Sequence, residues 1–292
     1  MQILDGRPVR DAVLAELADK VAQAPRAPGL AVILVGDDPA SRVYVGQKEK
    51  GCAKVGFHHE THRLAVDTPE AEVLALVEQL NGDDRIDGIL VQMPLPDHID
   101  SDRVLMAVDP AKDVDGFHPV NLGLLVSGKP RTVACTPKGV LRLLEHYDIP
   151  VAGKRVAVVG RSVIVGRPMA LLLNLKAAMG DATVVMCHSR TQDLAAEIQR
   201  ADILVAALGR PEFLTREHVA EGAVVVDVGI NRVDDPSAKK GYRLAGDVAQ
   251  SEMDGHASAL TPVPGGVGPM TIAMLLENTW ECMQRRLEVQ GG

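Results

Sequence analysis

Aromatic side chains are scarce in this chain, with three Phe, three Tyr and one Trp among 292 residues. So little ring surface leaves few platforms on which bases could stack, and 31 Lys and Arg against 39 Asp and Glu give a net charge of −8 that repels a phosphate backbone. Nucleic acid is not an expected partner. Cysteine is sparse as well: Cys52, Cys135, Cys187 and Cys282 lie far apart with no C-x-x-C pair, which argues against a zinc site or a dithiol centre. No apolar run approaches the roughly 18 residues needed to cross a bilayer, and the first residues lack the basic patch and apolar stretch of a secretory signal. The expectation is a protein of the reducing cytoplasm with no membrane partner. What the chain does contain is 46% hydrophobic residues, enough to fill a core, and length for about two domains at ~150 residues each.

Apolar runs alternate with helical stretches almost from end to end, the pattern of a parallel sheet covered by helices. Residues 30–35 (LAVILV) read as a buried strand, and Asp38-Pro39 supplies a cap and a first-turn proline for a helix over 39–54. A strand is expected over 57–64, a helix from Thr68-Pro69-Glu70 to Asn81-Gly82, and a strand over 86–91. Thr136-Pro137 opens a helix over 137–147, and a polar break at 150–154 separates it from a second series. That series has strands at 155–159, 182–187, 203–207 and 223–228 and helices at 168–179 and 191–200, the arrangement of a doubly wound sheet. A last helix follows the glycine-rich segment 262–269 and runs to about Leu287, with Ile272, Leu275, Leu276 and Trp280 at helical spacing. The fold class is therefore α/β with two domains, the second a Rossmann-like doubly wound parallel sheet. Met106, Met169, Met179 and Met186 are expected in cores.

The segment Gly160-Arg-Ser-Val-Ile-Val-Gly166 directly follows the strand RVAVV and precedes a helix. Its glycines permit a tight turn and bring backbone amides toward a pyrophosphate at the helix N-terminus, although Ser162 replaces the middle glycine of the G-x-G-x-x-G pattern and the last glycine comes one residue late. A turn that merely packs a helix on a sheet is the bland alternative. The next strand ends in Cys187-His-Ser-Arg190, without the acidic residue that holds a ribose 2′-hydroxyl. Ser189, Arg190 and Arg161 suit a 2′-phosphate instead, so NADP is expected over NAD, unless Ser189 and Arg190 simply begin a loop.

In the first half, Tyr44 and Lys48 share a helix face at i, i+4, Gln92 ends the strand IDGILVQ, and Asp115 sits in the loop Pro110-Ala-Lys-Asp-Val-Asp-Gly116. The set offers a flat ring, an amine, an amide and a carboxylate. Taken alone, a Tyr and Lys at this spacing are more often a solvated helix edge. Asp113 and Asp115 lack the remaining ligands of a calcium loop, and His58, His59 and His62 lack a fourth ligand at compatible spacing, so they read as exposed strand residues and no metal is expected.

Seven segments then come together in order: Tyr44-Val-Gly-Gln-Lys48 with Lys50 and Cys52, Val91-Gln-Met-Pro-Leu-Pro96, Lys112-Asp-Val-Asp-Gly116, Cys135-Thr-Pro137, Gly160-Arg-Ser-Val-Ile-Val-Gly-Arg-Pro168, Asp227-Val-Gly-Ile-Asn231 and Pro262-Val-Pro-Gly-Gly-Val-Gly-Pro-Met-Thr271. Across nearly the whole chain they resemble the bifunctional methylenetetrahydrofolate dehydrogenase / methenyltetrahydrofolate cyclohydrolase family. Gly51, where that family commonly has Ala, is a small departure with no functional effect expected. The resemblance implies oxidation of 5,10-methylenetetrahydrofolate with NADP+ and hydrolysis of the methenyl product to 10-formyltetrahydrofolate at one site. It implies catalytic roles for Lys48 as acid/base residue, Gln92 as its orienting partner, Tyr44 against the aminobenzoyl ring and Asp115 on the pterin edge. Val91, Met93, Pro264, Gly265, Gly266, Val267 and Gly268 would also contact substrate, in a folate cleft between the domains. Gly160, Arg161, Ser162, Ser189, Arg190 and Ile230 would line the NADP site. Residues 1–140 and 269–292 would form the folate-binding catalytic domain and 141–268 the cofactor domain, through which the protein would dimerise with a second copy. Two other functions compete: an NADP-dependent dehydrogenase of another small substrate, which leaves Tyr44, Lys48, Gln92 and Asp115 without a task, and a non-catalytic NADP-binding module, which predicts binding without turnover.

Replacement of Arg161 or Arg190 by Ala is expected to weaken NADP binding by ~1.5 to 3 kcal/mol, the worth of a charge-assisted hydrogen bond, while sparing NAD. An unchanged KM for NADP in both variants would overturn the 2′-phosphate assignment.

Overall fold

The computed structural model describes residues 1–238 and 240–291. The chain starts with a short strand, β1 (Gln2–Ile3), and a long helix, α1 (Gly6–Ala22), followed by β2 (Gly29–Val35), whose seven residues are all buried. Asp38 caps α2 (Pro39–Val55) by accepting from the Ser41 amide at 2.7 Å, and Gly56 ends that helix in the left-handed region (φ 79°). Strand β3 (His58–Leu64), helix α3 (Glu70–Gly82) and strand β4 (Gly88–Val91) complete a parallel sheet in the order β3-β2-β4. Two short helices, α4 (Ser101–Ala107) and α5 (Pro119–Val126), precede α6 (Cys135–His146).

The second series is β5 (Arg155–Val159), α7 (Gly166–Asn174), β6 (Thr183–Cys187), α8 (Leu194–Ile198), β7 (Ile203–Ala206) and β8 (Val224–Asp227). An antiparallel hairpin, β9 (Asn231–Asp234) and β10 (Tyr242–Ala245), then leads to β11 (Ala259–Leu260) and the final helix α9 (Gly268–Gly291). Val- and Ile-rich runs suit strands covered on both faces, and the resulting six-stranded sheet has the order β1-β11-β8-β7-β5-β6 with every pair parallel.

The chain divides into two compact units, one of Asp11–Cys135 with Ile272–Gly292 and the other of Met1–Arg10 with Thr136–Thr271. The first ten residues group with the six-stranded sheet, where Gln2 and Ile3 pair with Ala259 and Leu260, a ladder too short to leave a periodic signal. Two helices are shorter than expected. The chain leaves α7 at Asn174, where the Ala182 amide returns to the Leu173 carbonyl, and α8 begins only at Leu194, because Asp193 adopts φ 49° and caps it. Of the four methionines expected in cores, Met169 is buried, but Met106 and Met186 are 62% and 42% exposed. Met186 stands on β6, a sheet edge with one neighbour, and Met106 on the outer side of α4.

In the three-stranded unit a buried carboxylate joins distant segments. Asp87, just before β4, accepts two hydrogen bonds from Arg26 at 2.6 Å, one from the Gly29 amide at 2.9 Å and one from Arg286 of α9 at 2.8 Å. Asp87→Ala would leave two cations facing a desolvated gap and is expected to destabilise this unit by about 3 kcal/mol. The urea midpoint of unfolding measures it, and an unshifted midpoint would mean that the ion pairs contribute nothing net.

Candidate active site and dinucleotide turn

Strand order places the first site. The chain leaves β2 for β3 on one side and returns to β4 on the other, so the strand order switches between β2 and β4, where open parallel sheets bind ligands at their carboxyl ends. Gln92 follows β4 directly and its amide donates to the Ile33 carbonyl of β2 at 2.8 Å. Its side chain donates to the Met93 carbonyl at 2.7 Å, which turns the amide oxygen toward Lys48 Nζ at 2.8 Å. Burial holds the Lys48 ammonium below the usual lysine range, against the opposing attraction of Asp115. Tyr44, one helical turn earlier, is 45% exposed. Cys52, one turn later, is buried and its thiol is pushed up to about 12, so it stays protonated beside the amine.

Asp115 is presented by a segment whose other side chains are committed to the fold. Lys112 is buried and its Nζ donates to the Leu80 and Asp83 carbonyls at 2.9 and 2.8 Å, closing the C-terminal end of α3. Asp113 accepts from the Gly116 and His118 amides at 3.0 and 2.9 Å and from Asn121 Nδ2 at 2.8 Å. Val114 is buried and its carbonyl accepts from Asn278 of α9 at 2.8 Å. Gly116 has φ 74°, and a Cβ there would lie 2.6 Å from the Ala134 amide. Asp113 also bridges Ile89 of β4 in parallel register, and the chain bends at 114–116 just beyond that bridge. The Asp115 carboxylate accepts no hydrogen bond from the described residues. Burial pushes Asp115 up to about 6, partly offset by Lys48.

Lys48, Gln92 and Asp115 are therefore brought together. The Val91 side chain is not available, being packed in the core with Ile33 and Val77, so only its backbone faces the strand end. Met93 is half-buried. Pro264–Gly268 belong to the other unit, where the Gly6 amide donates to the Gly265 carbonyl at 2.9 Å. His58 and His59 are exposed, and His58 and His62 flank Glu60 at 3.0 and 3.4 Å. Among the described residues no helix is long and apolar enough to cross a membrane.

In the six-stranded sheet the order switches between β5 and β7, and Gly160 lies there with φ 136°. A Cβ at Gly160 would overlap the Ala207 carbonyl, and one at Gly166 would overlap Gly160 itself, so the turn closes only with glycine at both positions. Ser162 Oγ accepts from the Val165 and Gly166 amides at 3.1 and 3.4 Å, which shapes the turn at the start of α7. Arg161, Ser189 and Arg190 are exposed, neither guanidinium is paired among the described residues, and Ile230 is 46% exposed. A backbone cradle at a helix N-terminus with two uncommitted cations nearby fits a phosphorylated dinucleotide.

A dinucleotide turn on one parallel sheet and an amine, amide and carboxylate at the carboxyl edge of another are the parts of an α/β nucleotide-dependent enzyme with a separate acid/base site. Two models match in tandem: the tetrahydrofolate dehydrogenase/cyclohydrolase catalytic domain over residues 4–115 and the NAD(P)-binding domain of the same family over 134–287. The chain belongs to the tetrahydrofolate dehydrogenase/cyclohydrolase family. It is 52% identical over 290 residues to the bifunctional protein FolD of Desulfovibrio desulfuricans, covering 98% of this chain and 99% of that one. Among solved structures, the bifunctional FolD of Campylobacter jejuni superposes with a TM-score of 0.91 at 45% identity, covering 98% of this chain and 99% of that one. The Trypanosoma brucei enzyme, solved with NADP cofactor and an inhibitor, gives 0.90 at 40% identity, covering 98% of both.

Because the Asp115 carboxyl is raised to about 6, it gains a proton as pH falls through that value and loses its capacity to accept a charge-assisted hydrogen bond. The kcat/KM for a tetrahydrofolate substrate is expected to fall below about pH 6 in the unaltered protein. In Asp115→Asn that limb should be absent and the plateau lower, and an identical limb in the variant would assign the titration to another group.

Proposed function

We propose that this chain performs both steps of the family's one-carbon chemistry: it oxidises 5,10-methylenetetrahydrofolate to the 5,10-methenyl cation with NADP+ and hydrolyses that cation to 10-formyltetrahydrofolate. The Lys48–Gln92 hydrogen bond beside Asp115, at the switch point of the three-stranded sheet, carries the proposal. NADP+, when bound, supplies the acceptor for the hydride. The protein's own part in that step is placement, with Tyr44 offering a face for the aminobenzoyl ring and Asp115 an unspent carboxylate for the amino-pyrimidine edge of the pterin.

Hydrolysis requires proton transfer. Water adds to the methenyl carbon and loses a proton, the N5 nitrogen gains one, and the C–N5 bond then breaks as the remaining hydroxyl proton leaves to solvent, giving a neutral formyl group on N10. Lys48 is the group that moves this proton: its lowered pKa enlarges the neutral amine fraction, and Gln92 Oε1 directs Nζ while leaving it two further hydrogen-bonding positions. Cys52, held protonated, does not compete as a base.

The unit of Asp11–Cys135 and Ile272–Gly292 is the folate-binding part, and the six-stranded unit binds NADP through Gly160, Arg161, Ser162, Ser189, Arg190 and Ile230. The protein acts as a cytoplasmic homodimer joined through the cofactor unit. In support, β6 is paired on one side only, and the four cysteines are all free and buried, as a reducing compartment permits.

Lys48→Met is expected to abolish cyclohydrolase activity while leaving measurable dehydrogenase activity, because only the hydrolysis needs the amine's proton. Assays with the methylene and the methenyl substrate separate the two. Equal loss of both in a folded variant that binds folate would reduce Lys48 to a positioning residue.

A further inference from the structure

Two buried carboxylates in the six-stranded unit take no part in the chemistry above. Asp227 ends β8, and Asp247 lies in the segment after β10. Asp247 accepts hydrogen bonds from three successive backbone amides of the turn after β7, Leu208 at 2.6 Å, Gly209 at 3.0 Å and Arg210 at 2.9 Å, and from Asn231 Nδ2 at 2.9 Å. Asp227 accepts from the amides of Gly229 at 3.0 Å, Asp247 at 2.9 Å and Val248 at 2.9 Å. Holding the pair desolvated is costly, since burial and the charge of Asp247 push the Asp227 carboxyl up to about 6. The surrounding backbone is shaped for them: a Cβ at Gly229 would run into the Asp247 carboxyl, and one at Gly246 into that of Asp227.

Three consecutive amides pointing into one concavity form an anion-binding nest. In the turn after β7 that nest is filled from within, by Asp247. The same turn borders the dinucleotide loop, because the Ala207 carbonyl is the atom that a Cβ on Gly160 would strike. Ile230, proposed above to contact NADP, lies between Gly229 and Asn231, and each of these neighbours donates to one of the two carboxylates. One charge pair therefore sets the turns after β7 and β8 at the carboxyl edge of the sheet.

We infer that Asp247, backed by Asp227, is a positioning residue for the dinucleotide, holding the turn after β7 and the Ile230 loop in register and denying a phosphate the Leu208–Arg210 amides. The inference rests on the NADP assignment of this unit. A carboxylate is needed here, and an amide does not suffice. Both Asp247 oxygens accept, and in Asp247→Asn one of them becomes an NH2 group facing other donors.

The test is calorimetric titration of the full-length protein with NADP+, beside the rate of cofactor-free hydrolysis of 5,10-methenyltetrahydrofolate. Asp247→Asn is expected to raise the Kd for NADP+ at least tenfold, with the hydrolytic kcat and KM within twofold of the unaltered protein. If that variant fails to fold, Asn231→Ala, which removes one donor and keeps the charge, is expected to raise the Kd about threefold with the same unchanged hydrolysis. Unaltered Kd in a folded variant, or equal losses of NADP+ binding and hydrolysis, would overturn the positioning role. An unaltered protein that hydrolyses the methenyl substrate but gives no heat with NADP+ would overturn the NADP assignment and the inference with it.

Discussion

Parallel strands end in a row of backbone groups with no further strand residues to satisfy them, and the two parallel sheets of this protein are organised around that edge. At the three-stranded sheet the edge is left for chemistry. The Gln92 amide is tied to β2, its side chain to its own neighbour, and only its amide oxygen is directed outward, to Lys48. At the six-stranded sheet the edge is divided. The turn after β5 keeps its approach for a ligand through two glycines, while the turn after β7 is satisfied internally by Asp247.

The electrostatics of the catalytic edge follow from selective commitment. Lys112 and Asp113 are ordinary charged residues by type, yet both are buried and spent on backbone groups of α3 and of their own loop. Asp115 alternates with them and remains uncommitted. A carboxylate and an ammonium in one desolvated region moderate each other: Asp115 limits the fall of the Lys48 pKa, and Lys48 limits the rise of the Asp115 pKa.

Much of this was readable in the residues, and the omissions have physical causes. Strand β5 and the glycine turn after it are local features, a β-branched run followed by residues with special backbone freedom, and the expected span 155–159 agrees with the structure. The chemistry-bearing types Lys48, Gln92 and Asp115 could be named, but not their meeting, since Lys48 and Gln92 are 44 positions apart. Strands of two residues such as β1 and β11 carry no periodicity, so their pairing could not be read from the residues. The role of Asp247 is not legible in the residues, because three of its four partners are backbone amides 37 to 39 positions back, which leave no side-chain pattern. The methionines misled because residue type reports apolarity and not which strand becomes an edge.

Arg286 reaches Asp87 from α9, so the three-stranded unit is closed by residues that the ribosome delivers only after Thr136–Thr271. After Cys135 has been made, Thr136–Thr271 must still be translated, which takes roughly 7 to 27 s at ~5–20 residues per second. Throughout that interval β2, β3 and β4 are without α9, and Asp87 lacks one of its two arginines.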